Sequence, residues 1–294
     1  MKIFNSISYY LIEKLIVFKT LNFKLITLNL IVLAFSSCTK EITLDLKEAD
    51  IKYVMEADMD DSLGFRMHIS LSQPYYNDNT FPVITDAAVT LSDNEGNSRN
   101  IAHSGDGWYK DSTFKTVVGR TYTLKVVGKD VEYIASSTVR PTIGIGYIVA
   151  QKFNFGGGND GPIRVLQLWY QDPAGAGDHI RVVVNNKKDP SSASNINLQD
   201  DRFNDGLVSQ LFLFSGGGDD DGYRIQPGDT VHLSLQTIDK AVYDYFLTLD
   251  QISGQGGGFG GGVTPANPTT NWSNAGLGVF NACTVRGRYF VVPD

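Results

Sequence analysis

The chain has 294 residues, 42% of them hydrophobic, with 25 Lys and Arg against 32 Asp and Glu and a formal charge of −7. That length buries a sizeable core, and a charged content of only 19% excludes a charged disordered tail or a coiled coil. The acidic balance excludes a nucleic-acid binder that works through a basic face, and two cysteines are too few for a disulfide framework or a four-thiolate zinc site.

Residues 25–35 read Leu-Ile-Thr-Leu-Asn-Leu-Ile-Val-Leu-Ala-Phe, an apolar run of secretory-signal length. It is shorter than the ~20 apolar residues a spanning helix needs. Lys2, Lys14, Lys19 and Lys24 lie upstream against a single Glu13, the positive flank that stays on the cytoplasmic side. The run closes on Ser36-Ser37-Cys38, which resembles a bacterial lipobox, with Phe35 where such boxes usually carry Leu. On this reading residues 1–37 are a lipoprotein signal peptide and Cys38 carries the diacylglycerol on its sulfur. The plainer alternative is an ordinary signal with an incidental cysteine. A stretch of 37 residues is long for a signal and leaves room for a start downstream of Met1. With Cys38 acylated, Cys283 is the only free thiol.

Residues 38–50 are polar and charged with little periodicity, as a tether from lipid to fold would be. Strand patterns follow. In Phe65-Arg66-Met67-His68-Ile69-Ser70-Leu71-Ser72 apolar and polar residues alternate, as on a half-buried strand. Residues 88–92 repeat the pattern and break at the turn cluster 93–97; residues 121–127 and 132–139 follow, up to Pro141. Short strands at this spacing predict a β-sandwich over 51–141.

After Pro141 the composition changes: most of the 30 glycines lie there, and Glu132 is the last glutamate. Strands are expected at 164–170, 179–185, 207–214 and 231–235, in a second β-rich domain over 142–294. Between them lie Gly156-Gly157-Gly158, Gly216-Gly217-Gly218 and a longer tract, Gly256–Gly262, expected to be the most mobile loop. None of these tracts leads into Lys-Ser/Thr, so a phosphate-cradling loop is excluded. Ile238, Ala241, Val242, Tyr245, Phe246, Leu249 and Ile252 recur at helical spacing with Gly254 as the stop, which predicts one packed helix over about 238–252.

Catalytic signatures are missing from the sequence: there is no His-Glu-x-x-His, Gly-x-Ser-x-Gly, Walker loop or Cys-x-x-Cys. His68, His103, His179 and His232 are not at helical metal-ligand spacing, and His68 and His232 fall on the polar phase of their strands. Cys283 reads as a small core residue on a late strand. The acidic clusters are the one constellation with chemistry to offer. Asp200, Asp201 and Asp205 surround an Asn-Asp-Gly turn, and Asp219, Asp220 and Asp221 follow three glycines. Flexible loops rich in carboxylates suit calcium, although neither cluster has EF-hand spacing and consecutive aspartates in such loops are commonly solvated turn residues.

The segments Tyr53–Ala57, Ile69–Tyr76, Ile84–Asp93, Gly107-Trp108-Tyr109 and Gly119–Leu124 together resemble the DUF4249 lipoproteins of Bacteroidota, a family with no assigned function. Val242–Phe246, Asn267–Asn271 and Gly276–Phe280 resemble that family's late helix and closing motif. The resemblance implies an outer-membrane lipoprotein, commonly encoded beside TonB-dependent receptors whose N-terminal domain the 51–141 block also resembles, an immunoglobulin-like or transthyretin-like β-sandwich; it supplies no catalytic residue. The expected function is therefore a non-enzymatic accessory or ligand-capturing partner of such a transporter, without cofactor or nucleic acid. The alternatives are an envelope structural or adhesion module, and a surface hydrolase using Asp residues in the 200–221 loops.

Overall fold

The computed structural model describes residues 50–74, 80–129, 131–153, 163–186, 196–213, 225–253 and 266–294. Before Pro141 the chain forms β1 (Tyr53–Asp60), β2 (Gly64–Leu71), β3 (Ala88–Asp93), β4 (Ser98–Ile101), β5 (His103–Gly105), β6 (Trp108–Asp111), β7 (Thr121–Gly128) and β8 (Val131–Thr138). After it come β9 (Tyr147–Phe153), β10 (Ile163–Gln171), β11 (His179–Asn186), β12 (Asn197–Asp200), β13 (Val208–Leu213), β14 (Thr230–Ile238), α1 (Lys240–Ile252) and β15 (Leu277–Val291). The fold is mainly β, as the alternation predicts.

Three sheets are present among the described residues: an eight-stranded one in the order β12-β11-β14-β15-β1-β2-β6-β5, a four-stranded one in the order β4-β3-β7-β8, and a three-stranded one in the order β13-β10-β9. The period-2 pattern does its work in the first half. Tyr53, Met55, Ala57 and Met59 of β1 and Phe65, Met67 and Ile69 of β2 point to one side. There they share a core with Val89 and Leu91 of β3, Tyr122, Leu124 and Val126 of β7, and Tyr133 and Ala135 of β8. Two sheets thus face each other in a sandwich. A second core joins Ile180 and Val182 of β11 and Val231, Leu233 and Leu235 of β14 to Leu166, Leu168 and Tyr170 of β10.

β15 stitches the two cores together. Its first half pairs in parallel with β1, from Leu277 opposite Val54 to Cys283 opposite Asp60. Its second half pairs antiparallel with β14 on the other side, from Thr284 opposite Thr237 to Val291 opposite Thr230. Near its start β1 crosses so closely that Gly278, at φ +90°, has no space for a side chain: a Cβ there would collide with the Met55 carbonyl. Segments 51–141 and 142–294 therefore supply separate cores but share one sheet, and Trp272, Phe280 and Ala282 from the second segment complete the first core.

Ahead of β15, residues 270–274 close the margin of the first sandwich. Trp272 is buried and donates from Nε1 to the Met55 carbonyl at 3.0 Å. Asn271 Oδ1 accepts from the Phe280 N–H at 2.9 Å and its Nδ2 donates to the Phe280 carbonyl at 2.7 Å, while the Ser273 N–H donates to the Ile134 carbonyl at 2.8 Å. These are strand bonds made by side chains and a short loop.

The predicted helix is present and begins two residues later than its apolar period, because Ile238 still belongs to β14. Asp239 is the N-cap: its side chain accepts from the Val242 N–H at 2.9 Å. The same carboxylate accepts from Ser137 Oγ at 2.7 Å and from the Thr138 N–H at 2.8 Å, tying the helix start to β8. Val242, Tyr245 and Phe246 pack on Ile238, Val279 and Cys283, so α1 covers the face of the eight-stranded sheet that looks away from both sandwich cores. Among the described residues no helix is long and apolar enough to cross a membrane.

Candidate functional site

The only metal-ligand grouping among the described residues is Asp172, Asp178 and Asp201, whose nearest carboxylate oxygens lie within 4.8 Å of one another. All three are buried, at 3%, 6% and 5% exposure. They come from two loops at one end of the second sandwich. Asp172 and Asp178 open and close the Asp-Pro-Ala-Gly-Ala-Gly-Asp connection from β10 to β11, and Asp201 begins the turn from β12 to β13.

Backbone N–H groups explain how three acids share so little space. Asp201 Oδ2 accepts from the Gly177 N–H at 2.7 Å and from the Asp178 N–H at 3.0 Å. Burial would raise the Asp201 carboxyl, but those donors outweigh it and hold the group below the usual carboxylate range. Among the described residues the Asp172 carboxylate accepts only from the Gly206 N–H, at 3.2 Å. Burial pushes its carboxyl up, and the neighbouring charges of Asp178, Asp201 and Asp205 add to that. Asp178 is also raised by burial, against the partial opposition of Arg140 at 3.5 Å. Tyr170, whose hydroxyl accepts from Asn204 Nδ2 at 3.5 Å, is pushed up to about 12, first by burial and then by Asp172. The site thus holds one well-stabilised carboxylate and two poorly stabilised ones. A hard divalent cation bound by all three oxygens would relieve the latter two.

The sequence-derived candidates separate in space. Asp201 belongs to the trio, and Asp205 lies beside it, accepting from the Gly175 N–H at 2.7 Å. Asp200 turns away, pairing with Arg202 at 2.7 Å and accepting from the Tyr243 hydroxyl at 3.1 Å. Asp219, Asp220 and Asp221, the three glycine tracts and the lipid-attachment candidate Cys38 lie outside the described residues. Asp172 and Asp178 escaped sequence reasoning because their partner Asp201 lies on another loop; the Asp-Pro and Gly-Asp ends of their own loop were the available signal.

The histidines are dispersed. His68 meets Trp108 in a tilted ring contact at 5.0 Å with Nε2 at 3.2 Å from the Asp106 carbonyl, and His103 Nε2 accepts from the Gly107 N–H at 3.3 Å. His179 lies on Tyr243 at 4.7 Å and His232 on Tyr289 at 4.5 Å. Cys283 is 1% exposed under α1, and burial raises its thiol well above the ordinary range, with Asp58 and Asp60 adding to the effect.

The architecture defines a mainly β body in which β15 joins two sandwich cores and α1 packs a third cluster on the outer face of the shared sheet. The chain belongs to the family described as Domain of unknown function (DUF4249), whose model matches residues 39–288. No curated protein matches it at a significant level.

Proposed function

We propose that this protein is a lipid-anchored outer-membrane protein that serves a TonB-dependent transporter as a non-enzymatic accessory or ligand-capturing partner. The observation that carries the reading is the register of its start: an apolar run at 25–35, then Ser36-Ser37-Cys38, then a short polar stretch before β1 at Tyr53. A lipid at Cys38 holds the body beside its membrane partner and raises the effective concentration there, so a weak contact suffices. The acidic trio supports binding over acid–base chemistry, because its oxygens are directed at backbone N–H groups and at Arg140. Such an arrangement organises loops or holds an ion. The alternative of a structural or adhesion module draws on the sandwich architecture itself.

Metabolic labelling with a palmitate analogue tests the anchor. The wild-type protein takes up label and Cys38→Ser does not; label on the variant contradicts the assignment.

A further inference from the structure

The eight-stranded sheet carries α1 on its outer face. The three-stranded sheet has no comparable cover among the described residues. Its inner side is fixed by the second core, where Ile148, Leu166, Leu168 and Leu211 pack. Alternation sends the residues between them outward. Across the strands Trp169 stands between Tyr147 and Gln210, and Gln167 stands between Val149 and Phe212, with Val208 one step further along β13. Tyr147, Val149, Val208 and Phe212 are 50%, 40%, 61% and 37% exposed. Apolar side chains gathered in this way on one open face mark a binding surface, whereas singly scattered ones do not.

The composition of the face narrows what it binds. Over residues 147–151, 165–171 and 208–212 every outward position is aromatic, valine or glutamine, and none is charged. The Tyr147 and Trp169 rings stack with centroids 5.3 Å apart and planes 13° from parallel, so packing sets both rings before a ligand arrives. Gln167 is bonded to Gln151. The Tyr147 hydroxyl and the Gln210 amide make no hydrogen bond among the described residues, and Trp169 Nε1 is buried without an acceptor. Unspent hydrogen-bonding groups therefore flank the indole on both neighbouring strands.

We propose that this face binds a neutral oligosaccharide laid across the outer side of the three-stranded sheet, with Tyr147 and Phe212 against sugar rings and Gln210 bonded to their hydroxyls. A sugar offers what the face lacks. Its C–H bonds are weakly positive and suit the negative face of an aromatic ring, and its hydroxyls donate and accept as a glutamine amide does. A phosphate, carboxylate or ammonium ligand would lose water here and find no opposite charge. An apolar protein surface would bury the Gln210 amide and the Tyr147 hydroxyl without partners. Three strands span about 10 Å and both flanking strands are open, so a chain of sugars is accommodated better than one ring in a pocket. This assignment rests on the ligand-capturing role proposed above and gives the ligand a class; binding itself needs neither the lipid nor the transporter.

The test titrates the full-length protein, held in a sugar-free detergent, with cellohexaose, maltohexaose, mannohexaose and xylohexaose by calorimetry, with oligogalacturonate as the charged control. The expected result is saturable binding of at least one neutral chain, unchanged by added salt and at least about tenfold weaker in Tyr147→Ala. Gln210→Ala should weaken it too, and Ile134→Ala, at an exposed apolar position of the first sandwich, should bind as the wild type does. Unchanged melting temperatures show that the variants keep the fold. Four results overturn the proposal. Absence of binding by every neutral chain at millimolar concentration leaves the face without its ligand. Preference for oligogalacturonate means attraction by charge. Binding that survives both Tyr147→Ala and Gln210→Ala puts the sugar elsewhere. A dimer that Tyr147→Ala dissociates assigns the face to a second copy. A transporter that copurifies while every sugar fails keeps the accessory role and removes only the sugar; sugar binding without a transporter does the reverse.

Discussion

Replacing Asp201 and Asp172 separately should move stability in opposite directions, although the two carboxylates are near neighbours. Asp201→Ala strips two acceptor contacts, from the Gly177 N–H at 2.7 Å and the Asp178 N–H at 3.0 Å. A buried donor left without its partner costs about 1–3 kcal/mol, and relief of repulsion from Asp172 and Asp178 returns part of that. The net loss is about 2–4 kcal/mol. Asp172→Asn keeps an oxygen for the Gly206 N–H and removes a desolvated charge, so at neutral pH it should stabilise by about 1 kcal/mol. Urea denaturation followed by tryptophan fluorescence, in chelator at pH 7, measures both. Calcium reverses the second effect: it should raise the unfolding midpoint of the wild type and do less for Asp172→Asn, because an ion that binds only the folded state stabilises by mass action. Destabilisation by Asp172→Asn in chelator, together with a neutral Asp201→Ala, would refute the assignment of one supported and two unsupported carboxylates.

The same carboxyls set a pH dependence. Asp172 and Asp178 are raised in the fold, so their contribution is present below the ordinary aspartate value and is lost as pH climbs through their elevated values. Asp201 is lowered, so its contribution is lost as pH falls through its depressed value; Asp172→Asn should flatten only the first limb of a stability–pH profile. Asp239→Ala removes the α1 cap and two bonds to β8, and should cost about 3 kcal/mol by urea denaturation, with a loss under about 1 kcal/mol contradicting the stitching role. Cys283 should resist alkylation in the folded protein and react at the rate of unfolding; fast labelling under native conditions would contradict its place under α1.

Local pattern made some of this fold legible and hid the rest for definite reasons. β2, β3 and β7 each have one wet face and one dry face, so their period of two is plain in the sequence. The first half of β15 is buried from Gly278 to Thr284 without alternation, because the first core lies on one face and α1 on the other. β5 is too short for any period to register. The pairing of β1 with β15 joins opposite ends of the chain, and no local signal reports it. One member of the trio is legible in the sequence: Asp201 stands in a run of acids, while Asp172 and Asp178 become its partners only when two loops meet at the end of the sandwich.

Copurification tests the functional account most directly. The intact lipoprotein, solubilised from membranes with its anchor, should bring down a TonB-dependent transporter, and deletion of the gene should impair uptake of that transporter's nutrient. Recovery of the protein without a transporter, together with unchanged uptake in the deletion strain, would contradict the account and favour a structural role in the envelope.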